Sequence, residues 1–303
     1  MIVDLFAGPG GWSEGLRLLS PAMHSTEVGL EWDSAACRTR SMAGHRTLQV
    51  DIAAASTAPF ARETVGLIAS PPCQDFSSAG NRAGIAGTSG HLVGEVIRWA
   101  SDLQPDWIAL EEVPAVMPLW LQFVDHFAAA GYSAWAGILN TADYGVPQTR
   151  KRAVLIASRT HEVYCPPPTH CDGGSLMHSP WAPMSSIVGH DPAERALNTG
   201  RDWKKGGTRD DAQRIPLHRP CPTVTGQATA WQWRRHDRDR PDPILFTIED
   251  AAAFQSFPLG YPVHGSKVTA MLQIGNAVPP LFAAHILAVA TGSSLDNMME
   301  TSP

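Results

Sequence analysis

Apolar positions in the first 158 residues alternate between two textures. Short, nearly unbroken apolar runs occur at IVDLFA (2–7), HSTEVGLEW (24–32), VGLIAS (65–70), WIALEEV (107–113) and RAVLIAS (152–158), each suited to a buried strand. Between them, SEGLRLLS (13–20), HLVGEVIRWASDL (91–103) and LWLQFVDHFAAAGY (119–132) carry apolar residues at helical spacing, and Gly131 suits a helix stop. Strand–helix alternation of this kind predicts a doubly wound, mostly parallel α/β sheet, which binds ligands beyond the carboxyl ends of its strands.

From residue 159 the periodicity fails. CPPPTHCDGGSLMHSPWAP (165–183) is loop-like, and 195–240 is charged, tryptophan-bearing and irregular. Helical spacing returns at TIEDAAAFQSF (247–257) and PPLFAAHILAVATG (279–292). The pattern predicts a large α/β domain over 1–158, a small irregular region over 159–240, and a return to the large domain over 241–303 with a frayed end.

Composition changes this picture in one respect. The chain has 303 residues, 44% hydrophobic and 17% charged, the balance of a globular protein. No stretch approaches the roughly 20 apolar residues of a membrane span. The N-terminus reads as a strand and not as a leader, and five irregularly spaced cysteines argue for a reducing cytoplasm. The net charge of −6 would ill suit a nucleic-acid binder if it were spread evenly. It is not: residues 195–240 hold 11 Lys/Arg against 5 Asp/Glu, a local +6, while the remainder holds 12 against 24. A basic stretch on an acidic body fits contact with a polyanion on one face, or else an arginine-rich solvated loop.

Candidate chemistry sits at the predicted strand ends. Gly8, Pro9, Gly10 and Gly11 follow the first strand and open a helix, so backbone can approach a ligand closely. A dinucleotide fingerprint would place a third glycine at position 13, which is Ser13; a nucleoside without pyrophosphate fits better. Glu31 ends the second strand, where a carboxylate can accept from two ribose hydroxyls. Trp32 offers a face for adenine, and Asp51 can accept from its amine. After VGLIAS comes Ser70-Pro71-Pro72-Cys73-Gln74-Asp75-Phe76-Ser77, in which two prolines stiffen the approach to Cys73. A cysteine leaving a strand end in a polar turn reads as a nucleophile rather than a buried small hydrophobe. Glu111 and Glu112 follow the fourth such run; one can be held protonated to donate to a ring nitrogen, or the pair can be a solvated helix start. In Gln148-Thr149-Arg150-Lys151-Arg152, alternation sends Arg150 and Arg152 to one face, a clamp for phosphate or a base carbonyl or a solvated strand edge. Cys165, His170 and Cys171 fit no standard zinc spacing, so no metal site is expected.

Taken in order, DLFAGPGG, EWD, DI, PPCQDFS, EEV, QTRKR, RPCPTVTG and GNAVPP resemble the DNA cytosine-5 methyltransferase family, across nearly the whole chain apart from about 160–218. The resemblance implies a class I, Rossmann-like methyltransferase fold using S-adenosylmethionine, with a pocket of Phe6, Gly8, Gly10, Gly11, Glu31, Trp32, Asp51, Ile52, Pro72, Asn276 and Val278. It implies Cys73 as nucleophile, Glu111 at N3 of the target cytosine, and Arg152 near its O2 with Arg150 beside it. Residues 1–158 become the catalytic and cofactor-binding domain, 159–240 the target-recognition region. Double-stranded DNA is the implied substrate and a monomer the implied state; a cognate restriction endonuclease would be a separate chain.

One departure stands out: the family's Glu-Asn-Val is Glu111-Glu112-Val113 here. A second carboxyl could be absorbed by local rearrangement, or could favour protonation of Glu111 by like-charge repulsion. Methylation of tRNA by the same chemistry, and a catalytically impaired DNA-binding homologue, are the alternative readings.

Overall fold

The computed structural model describes residues 1–72, 90–189, 195–199, 214–235 and 244–295. Cys73 lies outside the described residues. The chain forms two compact units: Met1–Asn140 with Lys151–Pro167 and Val278–Pro303, and Thr141–Arg150 with Pro168–Ala277.

The apolar runs of the first unit become strands because both of their faces are covered. Strands β1 (Ile2–Leu5), β2 (Glu27–Glu31), β3 (Thr47–Gln49), β4 (Gly66–Ala69), β5 (Trp107–Glu112), β6 (Ser133–Asn140) and β8 (Lys151–Ser158) make one sheet in the order β3-β2-β1-β4-β5-β8-β6. The run β3 to β5 is parallel, and β8 lies antiparallel to both its neighbours. β1 is central, in register with β2 (Ile2 opposite Glu27) and β4 (Ile2 opposite Gly66), so the segment after Leu5 emerges at the sheet's carboxyl edge. Strand reversal at the β1/β4 boundary is the topological switch point where such folds bind ligands.

Helices α1 (Gly11–Leu19), α2 (Pro21–His24), α3 (Ser34–Met42), α4 (Gly90–Leu103) and α5 (Met117–Ala129) connect the strands. Asp33 caps α3 by accepting from the Ala36 amide at 2.8 Å, and Gly131 follows α5 at φ +87° as a stop. Val93, Val96 and Trp99 of α4 and Trp120, Phe123 and Phe127 of α5 pack with Leu67, Ile108, Leu110 and Leu155 of the strands. Each of the larger side chains contributes roughly 2–3 kcal/mol by leaving water. The last helix of this unit, Pro280–Thr291, is almost wholly buried.

The second unit is more regular than its sequence suggests. Strands β11 (Arg195–Asn198), β12 (Arg214–Pro216), β14 (Gln232–Arg235) and β15 (Ile244–Leu245) form an antiparallel sheet in the order β12-β11-β14-β15. Two-residue strands pair beside it: β7 (Gln148–Thr149) with β13 (Cys221–Pro222), and β9 (His170–Cys171) with β10 (Ser179–Pro180). Helices α6 (Ile248–Phe254) and α7 (Lys267–Asn276) belong to this unit, and Pro280–Thr291 is α8.

That assignment corrects the boundary expected at 241. Helical periodicity identifies an amphipathic helix without saying which core receives its apolar face. Phe254, Met271 and Ile274 bury against Trp231, Trp233 and Phe246 of the second unit, and the return to the first begins at Val278. Likewise Thr141–Arg150, placed with 1–158 by its sequence, belongs to the second unit. The apolar stretch Lys267–Thr291 has 83% of its most apolar window buried, as core helices do.

Candidate active site

In the first unit, the segment after β1 is shaped for a ligand. Phe6 sits at φ +57°, with Gly8 at +53° and Gly10 at +104°. A left-handed phenylalanine is a strained conformation that surrounding structure must hold. A Cβ on Gly8 would meet nothing closer than the Phe6 carbonyl at 4.0 Å, so open space adjoins the loop there. Gly11 is the opposite case: a Cβ would fall 2.1 Å from the Val278 carbonyl, so glycine is required for α1 to pass that backbone.

Glu31 closes this loop. One of its oxygens accepts from the Gly8 amide at 2.8 Å and the other from the Asp33 amide at 2.7 Å. A carboxylate has about four lone-pair sites, so each oxygen keeps capacity for a hydroxyl donor. Next to it Trp32 is 69% exposed, a large apolar ring left outside the core. Its carbonyl accepts from Gln49 Nε2 at 3.1 Å, and the Val50 amide donates to the Glu31 carbonyl at 2.9 Å, which brings the segment 50–52 alongside. Asp51 is exposed and accepts from Ala53 at 3.0 Å, whereas Ile52 is buried with its carbonyl held by Arg98 at 2.8 Å. Trp12 Nε1 donates to Ser70 Oγ at 2.9 Å, tying α1 to the Ser70-Pro71-Pro72 turn. Thus the structure groups Phe6, Gly8, Gly10, Gly11, Glu31, Trp32, Asp51, Ile52 and Val278 around one sheet edge. Asn276 is the exposed last residue of α7, in the second unit.

At the end of β5, Glu111 is 4% exposed and its Oε1 pairs with Arg152 Nε at 2.8 Å. The register explains the pairing: Glu111 lies opposite Val154, so Arg152, two residues away on β8, is the diagonal neighbour on the same face. Glu112 points to the other face, where its Oε2 accepts from the Val113 amide at 2.5 Å.

Arg150 does not join this pair. It belongs to the second unit and is 1% exposed. Its guanidinium donates to the carbonyls of Val224 (3.1 Å), Gly275 (2.9 Å) and Ala277 (3.2 Å). The strand breaks between β7 and β8, so the alternation that aligned Arg150 with Arg152 in the sequence does not carry across. Two glutamines extend the network, and sequence reasoning missed both. Gln148 donates to Gln255 Oε1 at 2.8 Å and accepts from the Val224 amide at 2.9 Å, while Gln255 donates to the Ile274 carbonyl at 2.6 Å. The signal was present: a glutamine inside the apolar helix run AAAFQSF needs a buried partner. This network joins three of the sequence motifs, QTR, TVTG and IGN.

Burial pushes the Cys37 thiol up to about 11, with Glu31 adding to the shift, and it raises fully buried Cys221 well above its usual value. Neither is disposed to be a thiolate at neutral pH.

The fold and these groups define a class I methyltransferase. Over 96% of its length the chain superposes on a Schizosaccharomyces pombe Dnmt2 methyltransferase (98% of that chain, TM-score 0.71, 14% identity). It superposes equally on the Entamoeba histolytica methyltransferase EhMeth (96% of this chain, 97% of that one, TM-score 0.70, 16% identity). Residues 1–173 match the family model of the C-5 cytosine-specific DNA methylases. The chain belongs to that family and is a DNA (cytosine-5) methyltransferase. Relatives include the Type II methyltransferases M1.HphI of Haemophilus parahaemolyticus (28% identity, covering 94% of this chain and 84% of that one) and M.HgiDI of Herpetosiphon aurantiacus (28%, covering 91% and 89%). Family and fold imply S-adenosylmethionine as donor, and the family implies double-stranded DNA as substrate.

Proposed function

We propose that the chain methylates carbon 5 of a cytosine turned out of duplex DNA, through a covalent bond from Cys73 to carbon 6. The observation that carries this reading is the Glu111–Arg152 pair, a buried carboxyl held by a guanidinium on one sheet face.

Carbon 5 of cytosine is a weak nucleophile within an aromatic ring. Addition of the Cys73 thiolate at carbon 6 breaks the aromaticity, and a hydrogen bond from Glu111 to N3 stabilises the enamine that results. Arg152, which orients Glu111, also supplies a donor for the base's O2. S-adenosylmethionine, when bound, supplies the electrophilic methyl group. Loss of the carbon 5 proton and expulsion of Cys73 then restore the ring. None of this can occur in a stacked duplex, so the base must be extruded at a cost of roughly a few kcal/mol.

The residues present fit the donor. Glu31 has acceptor capacity left for ribose hydroxyls, exposed Trp32 offers a face to adenine, Asp51 can accept from its amine, and the open side of Gly8 admits close approach. Pro72 and Val278 complete the proposed pocket within the first unit; Asn276, implied there by the resemblance, is a residue of the second unit. The relatives' Type II names support a role in restriction–modification, with the cognate endonuclease as a separate partner.

Nucleoside mass spectrometry on DNA and tRNA from a modification-free bacterial host tests the proposal. Expression of the chain should add one methyl to deoxycytidine in DNA, and Cys73→Ala should abolish it while leaving donor binding intact. Methylation surviving in Cys73→Ala would sink the covalent route; signal in tRNA alone would change the substrate.

A further inference from the structure

Beneath the Phe6–Gly11 loop lies a buried polar cluster that the proposed catalytic and cofactor roles do not use. Arg40, on α3, has no solvent exposure. Its guanidinium donates to Glu27 Oε1 (2.7 Å), Ser13 Oγ (2.8 Å), Thr47 Oγ1 (3.1 Å) and the carbonyl of Ala7 (3.3 Å). Asp4 Oδ2 stands 3.8 Å away. Ser13 in turn donates to Glu27 at 3.0 Å. Space for the guanidinium is made by Gly29, where a Cβ would lie 2.0 Å from Arg40 Nη2.

The connectivity is specific. Asp4 precedes the loop, Ala7 is inside it, and Ser13 is in the first turn of the helix that follows. Glu27 and Thr47 are on β2 and β3. One side chain therefore holds the loop from within and just beyond, and anchors it to two neighbouring strands. Apolar residues at 27 and 40 could fill this volume, and replacing a buried ion pair in that way is often neutral or stabilising. What the polar version adds is direction: the guanidinium fork fixes a carbonyl and a hydroxyl on either side of Gly8 and Gly10.

We propose that Arg40, with Glu27 as counter-ion, is a positioning residue for S-adenosylmethionine, holding the Ala7 carbonyl and Ser13 so that the glycine loop is preformed. This rests on the reading of that loop as the cofactor site. Burial raises the Asp4 carboxyl well above its usual range, with Arg40 opposing the shift and Glu27 and Glu31 adding to it. Glu27 is the nearer carboxylate to Arg40, at 2.7 Å against 3.8 Å for Asp4, so Arg40 and Glu27 are removed together.

The test uses the full-length chain, urea unfolding, and calorimetric titration with S-adenosylmethionine. Arg40→Leu alone strands the Glu27 carboxylate in the core and is expected to unfold. The decisive variant is Glu27→Leu with Arg40→Leu. It should unfold at the wild-type urea concentration or above it, yet bind the donor roughly tenfold to a hundredfold more weakly. Its KM for the donor should rise with kcat at saturation little changed. A double variant that binds as tightly as wild type would overturn the inference. If it does not fold, Arg40→Lys decides, because lysine keeps the charge and loses the fork: weakened binding supports positioning, and wild-type affinity refutes it. A wild-type chain that binds no S-adenosylmethionine would overturn the cofactor reading itself, and this inference with it.

Discussion

Successive side chains of a strand point to opposite faces, so Glu111 and Glu112 meet different partners although they are adjacent. At the departure from the family's Glu-Asn-Val, Glu112 accepts from the Val113 amide while Glu111 pairs with Arg152. Glu111→Gln preserves shape and removes the carboxyl group. It should lower the rate of the chemical step by about 10²–10⁴-fold and change DNA affinity far less; equal losses in stopped-flow chemistry and equilibrium binding would argue against its role. Arg150 acts on stability instead. Arg150→Met takes a donor from the carbonyls of Val224, Gly275 and Ala277 and should cost roughly 2–4 kcal/mol in urea unfolding. A normal unfolding midpoint with lost turnover would restore the substrate contact expected from sequence.

At the scale of elements, glycines show how one substitution changes sign with its surroundings. Gly94 lies exposed within α4 with nothing within 4 Å of an added Cβ, so Gly94→Ala should stabilise by about 0.5–1 kcal/mol through the unfolded chain's lost freedom. Gly11→Ala drives the same methyl to 2.1 Å from the Val278 carbonyl, which is backbone and cannot rotate aside. It should destabilise by roughly 1–3 kcal/mol. Thermal melting of the two variants side by side checks both signs; two stabilised proteins would mean that α1 can move away from Val278.

For the whole molecule, charge and pH are the levers. Arg234 and Arg235 on β14 belong to the stretch whose local charge is +6 on a chain of −6. Reversing both should weaken DNA binding and flatten its salt dependence, by about one unit of log–log slope for each phosphate no longer neutralised. An unchanged slope would make the stretch a solvated face. Acid should act through histidines. His24 is lowered from 6.5 by burial, then by Arg17 and His45, and His170 is lowered by burial. The native state then binds fewer protons than the unfolded chain as pH falls through 6.5, so stability is lost on acidification below that value. Urea midpoints should fall between pH 7.5 and 5.5 by roughly the range expected for shifted histidines, and less steeply in His24→Gln. A flat profile would show that neither ring is held neutral.

Local pattern alone determined β1, β2, β4, β5 and β8, α1, α4, α5 and α8, the glycine loop and the carboxylates at the strand ends, because each depends on periodicity or on a residue's own conformational freedom; β3, β6, α2 and α3 carried too little apolar pattern to show. Glu31, Trp32 and Glu111 were legible for that reason: a strand ends where its apolar run ends, and the next side chain is delivered to the edge. Tertiary structure decided what depends on partners distant in sequence. It assigned α6 and α7 to the second core, since an apolar helix face carries no address. It turned Arg150 into a strut, since a strand break interrupts alternation without changing composition. It also paired Arg40 with Glu27, since a buried charge looks in sequence like any surface one until the fold brings its counter-ion within 2.7 Å.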